Sequence, residues 1–178
     1  MRALGPGSVS SFLKIILDVV YYALWVLIGA AALFALVALL FSFNPGLLAG
    51  WLPLSGRVAA IVERGPFLAS ALIAVAAYMG GVLAIVGILR RIFVTLTAGD
   101  PFHPENVRRL RLVGVILGGL EIGRYLLSVV LAMMTPDRIR SIDGSLNLTT
   151  WFAVLVILVL AEVFREGARL RNEAELTI

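Results

Sequence analysis

The sequence has no cysteine, a single histidine, and charged side chains at only 15% of its 178 positions. Without cysteine there is no disulfide, no thiolate nucleophile and no sulfur-bound zinc or iron–sulfur cluster. The histidine, His103, has no second ligand near it in sequence and is flanked by Pro101 and Pro104. It reads as a turn and capping residue, so no metal and no cofactor is expected. Ser-His-Asp sets, HExxH, phosphate loops and dinucleotide fingerprints are missing as well, and the residues give no positive sign of an enzyme. Long polar stretches are too few to build a soluble catalytic module.

What is present is apolar. Hydrophobic residues make up 61% of the chain and the mean hydropathy is +1.02, whereas a soluble domain is roughly half apolar. Lipid is therefore the expected solvent. About 20 apolar residues cross a bilayer, and four runs are long enough: 12–43, 66–96, 112–134 and 148–171. The first exceeds the apolar core of a signal peptide and is read as a retained span. The expected fold class is all-α, a polytopic integral membrane four-helix bundle forming one membrane domain over 1–178.

Orientation follows from the basic residues, because cytoplasmic flanks collect the excess. One side gathers Arg2, Lys14, Arg90, Arg91, Arg108, Arg109, Arg111, Arg165, Arg169 and Arg171; the other has Arg57, Arg64, Arg138 and Arg140. Both termini and the middle loop are expected inside. This distribution also explains the net charge of +4 without direct nucleic-acid binding. The first outer loop, 44–65, mixes Leu, Trp51 and Val with Gly and Pro, and short helices on the bilayer surface are expected there. Pro136 and Asp143-Gly144 mark the second outer loop as a short turn.

Lipid tails are as apolar as leucine, so helix association rests on close backbone approach and polar contacts. Gly114 with Gly118 and Gly119 with Gly123 in the third span, and Ala76 with Gly80 and Ala77 with Gly81 in the second, make these two the expected central pair. Internal packing is favoured over the alternative use of such pairs, a homo-oligomer face. Glu121 and Arg124 fall near the midpoint of the third span at i and i+3, where they can pair and turn inward. A structural ion pair is favoured over a proton or substrate site. Asp18 lies one turn after Lys14 and Glu162 one turn before Arg165 and Glu166, so both carboxylates are expected at the inner interface in local pairs.

Two flanking segments are more particular: Asp100-Pro101-Phe102 with Glu105, Asn106, Arg108 and Arg109, and Phe164 to Leu170 (with Arg165, Glu166 and Arg169) continuing to Glu173-Ala174-Glu175-Leu176-Thr177-Ile178. On these residues, and on its topology, the chain resembles the DUF2975 family of uncharacterised four-helix bacterial membrane proteins. The resemblance implies a multi-pass protein of the bacterial cytoplasmic (inner) membrane. It further implies a small Cro-like helix-turn-helix regulator as partner, since family members are often encoded beside one. The family tail often has Gln where this chain has Ala174, and no family active site carries over.

The expectation is a non-enzymatic regulatory or scaffold protein that binds a cytoplasmic partner through the 100–111 loop and the C-terminal tail. The candidate interface is Asp100, Phe102, Glu105, Asn106, Arg109, Arg165, Glu166, Arg169, Glu173 and Glu175. Anionic-lipid contacts by the arginines are the plainer use of the same segments. The alternative function is a small transporter or ion pathway using Glu121 and Arg124.

Overall fold

The computed structural model describes residues 9–43, 65–98, 102–134 and 147–176, with side chains omitted at 9–11, 130–134 and 175. Four helices account for nearly all of them: α1 (Val9–Phe43), α2 (Gly65–Thr97), α3 (Pro104–Met134) and α4 (Leu148–Glu175), with no strand among the described residues. A helix satisfies its own backbone hydrogen bonds, which lipid cannot do, so apolar runs of this length adopt it. Each helix contains a stretch apolar enough to cross a membrane. At 35, 33, 31 and 28 residues, they reach roughly 42 to 52 Å at 1.5 Å per residue. That exceeds the roughly 30 Å hydrocarbon thickness, so the helices must tilt or project. The chain is an all-helical, multi-pass membrane protein. The outer-loop expectations at 44–64 and 135–146 lie outside the described residues.

The chain divides into two compact units. One is Val19–Leu83; the other is Met1–Asp18 with Ala84–Ile178. In the first, Ala31, Ala35 and Ala69 are the buried apolar side chains among the described residues. Gly65 starts α2 so close to α1 that an added Cβ would stand 2.6 Å from Ser42 Cβ and 2.9 Å from the Ala38 carbonyl oxygen. Residues 31, 35, 38 and 42 form one stripe of α1 at helical spacing, and a small-residue stripe is what lets backbones approach in lipid.

In the second unit the extensive helix–helix contact is between α3 and α4. Within this unit the close packing falls between the third and fourth spans, while the second span's Ala76–Gly80 and Ala77–Gly81 belong to the other unit. A Cβ on Gly114 would lie 3.2 Å from the Leu158 side chain of α4, whereas one on Gly118, Gly119 or Gly123 would meet nothing within 4 Å. Small residues permit close approach without selecting the neighbour. Val113, Val154 and Ala161 are buried there.

α3 begins eight residues before the apolar run at 112. Pro104 opens it, where a missing N–H costs nothing, and Glu105 meets the positive end of the helix dipole. His103 caps it: Nδ1 accepts the Glu105 N–H at 3.2 Å, and its carbonyl accepts the Asn106 N–H at 2.8 Å.

Candidate functional site

The turn between α2 and α3 is held by one buried amide. Asn106 is completely buried, and an amide removed from water must find partners. Its Nδ2 donates to Thr95 Oγ1 at 2.8 Å, and the Thr95 hydroxyl donates to the Ile92 carbonyl at 2.7 Å. Arg109 Nη1 donates to Asn106 Oδ1 at 3.2 Å and to the Arg91 carbonyl at 3.3 Å. Arg109 also pairs with Glu105, one turn back on α3. The first turns of α3 thus clamp the last turns of α2, with Asn106 level with Thr95 and Arg109 level with Arg91.

The same turn reaches α4 through an aromatic ring. Phe102 stands 5.7 Å, centroid to centroid, from Phe164, with the planes tilted by 50°. It also packs so close to Gly167 that an added Cβ there would sit 2.6 and 2.7 Å from ring carbons. Phe164 and Gly167 are three apart and share a face of α4. The two segments singled out in the sequence therefore meet in one place.

Ion pairs collect at this arginine-rich end. Asp18 accepts from Arg90 Nε at 2.6 Å, tying α1 to α2; this replaces the expected local pair with Lys14. Glu162 has the expected local partner Arg165 and a second across the helix pair, Arg111 at 3.4 Å. Farther along α4, Arg169 pairs with Glu166 at 2.6 Å and Glu173 at 3.6 Å. These exposed pairs stabilise the helix by a few tenths of a kcal/mol each. Asp100 lies outside the described residues, as does the side chain of Glu175. Thr95 and Arg90 carry polar ties that sequence reading missed; the signal was a hydroxyl and a guanidinium close to the end of an otherwise apolar helix.

Glu121 and Arg124 form a bidentate pair, Nη2 to Oε1 at 2.7 Å and Nε to Oε2 at 3.3 Å. The Glu121 side chain is 7% exposed and that of Arg124 33%, so the pair fronts a protein face with its cation toward the rim. The Arg124 guanidinium stands 4.9 Å from the Tyr125 ring centroid, a cation–π distance. The Tyr125 hydroxyl accepts the Asn147 N–H at 3.0 Å. With Gly114 beside Leu158 and Arg111 beside Glu162, this register sets Glu121 level with the first turn of α4. Trp151, in that turn, has its indole N–H buried with no acceptor among the described residues. No group of three His, Asp or Glu among the described residues could hold a metal ion.

A family model described as a protein of unknown function (DUF2975) matches residues 57–178. No curated protein matches the chain and no solved structure does.

Proposed function

From the premise that the chain belongs to the DUF2975 family, we propose that it is a non-enzymatic docking protein of the bacterial cytoplasmic membrane, with both termini inside and a cytoplasmic protein held at its arginine-rich end. The observation that carries this reading is the seating of Phe102 on Gly167 and beside Phe164. It makes one surface from two segments far apart in sequence. Around it Glu105, Arg165, Glu166, Arg169 and Glu173 are exposed and of mixed sign, and Leu170 on the last turns of α4 and Leu176 just past its end are exposed apolar residues. Interleaved carboxylates disfavour nucleic acid, whose backbone needs cations alone. Mixed charge with apolar anchors suits a protein partner. A small helix-turn-helix regulator is the partner the reading favours.

The ion-pathway alternative has less support, since both Glu121 oxygens already accept from Arg124. The test is affinity capture from native membranes with an N-terminal tag, comparing the full chain with one lacking Asn172 to Ile178. A helix-turn-helix protein recovered only with the full chain is the expected result. Equal capture by both, or no partner, would move the weight to Glu121 and to flux assays in liposomes.

A further inference from the structure

The geometry points to a binding site for the headgroup of an anionic phospholipid in the cleft between α2 and α3. The cleft has a volume of about 300 Å³ and is lined by Ile88 and Arg91 from α2 and by Glu105, Arg108, Arg109 and Leu112 from α3. Spacings of three on α2, and of three, four and seven on α3, put each set on one helix face. The helices run antiparallel through the short turn, so the register that sets Arg109 beside Arg91 also sets Leu112 beside Ile88. The lining is therefore graded. Its floor, toward the apolar spans, is Ile88 and Leu112; one turn outward come the arginines; Glu105 stands at the rim.

The charges in the cleft do not cancel. Glu105 is answered by Arg109, which also serves Asn106 and the Arg91 carbonyl. Arg91 and Arg108 are exposed and, among the described residues, neither has a carboxylate at ion-pair distance. Two guanidinium forks over an apolar floor match a phosphodiester, which takes paired N–H donors and carries acyl chains on its other side. A free phosphate would use the arginines and leave the floor unused. Leu112, half exposed, offers the start of an acyl path. Basic pockets between spans on the inner leaflet are where such headgroups collect. This site does not depend on protein docking at α4.

The full chain in detergent micelles is titrated with phosphatidylglycerol, phosphatidylcholine and glycerol phosphate, and bound lipid is counted by native mass spectrometry. Phosphatidylglycerol should bind about tenfold more tightly than phosphatidylcholine, from two arginines near an anionic group. The Arg91→Gln/Arg108→Gln variant should lose that preference, while Arg165→Gln/Arg169→Gln, which removes the same charge from the same end, should keep it. Equal loss in both variants would mean diffuse attraction and overturn the site. No preference in the parent chain, or displacement of the lipid by equimolar glycerol phosphate, would overturn it too. These last two measurements use the unaltered chain, so they decide the matter even if the double variant misfolds.

Discussion

Gly167 is a residue whose identity the fold constrains closely. It lies on the face of α4 that receives Phe102, and the ring occupies the volume a side chain would need. In a helix interior glycine costs about 1 kcal/mol relative to alanine, so its presence is explained by the ring it admits. Gly167→Val should push Phe102 off α4 and lower stability by about 1–3 kcal/mol, as overpacking does. Thermal unfolding in detergent would measure it. Phe102→Ala alone should cost less than that, and combining it with Gly167→Val should restore part of the loss. Simple additivity of the two losses would mean that the ring and the glycine do not interact. Asn106 is constrained differently. Its volume is not special, but its polar contacts are, and an apolar replacement would strand the Thr95 and Arg109 groups that face it.

At the level of the helices, existence was legible and partnership was not. Four apolar runs bounded by Pro, Gly and charge predict four helices, and Pro104 with Glu105 predicts that the third starts before its apolar run. The helix faces are another matter. A span surrounded by lipid is apolar all round, so periodicity carries little about which side meets protein. Of Gly114, Gly118, Gly119 and Gly123, Gly114 is the one pressed, and by α4, a partner that the four-residue spacing does not name. Likewise Asp18 had an adequate partner at Lys14, and nothing local pointed to Arg90, 72 positions away. The pairing now makes a prediction. Asp18→Arg should leave Arg90 facing a like charge and reduce the folded yield in membranes, and Arg90→Asp should do the same. The exchange Asp18→Arg/Arg90→Asp should recover most of it, as judged by size-exclusion profile and unfolding midpoint. A double variant no better than either single one would mean that the contact contributes nothing to folding.

For the molecule as a whole, the ion pairs are unevenly distributed in a way that bears on orientation. Asp18–Arg90, Glu105–Arg109, Arg111–Glu162 and the α4 ladder lie at the end where α1 starts, α2 and α3 meet and α4 finishes. Glu121–Arg124 stands apart, toward the start of α4. A pair held inside a span is costly unless well paired, and this one is bidentate with the anion covered; the adjoining Tyr125–Asn147 hydrogen bond ties that stretch of α3 to the chain entering α4. By sequence, ten arginines and lysines are assigned to the first end and four to the other, and the orientation proposed above, with the first end in the cytoplasm, rests on the rule that governs insertion. The lack of any native cysteine makes this testable without background. In intact cells a membrane-impermeant maleimide should label Ser141→Cys, in the segment expected from sequence to be the second outer loop, and should label Thr177→Cys only after the membrane is opened. Labelling of Thr177→Cys in sealed cells would place the arginine-rich end outside, and with it the Phe102–Gly167 surface would lose access to any cytoplasmic partner.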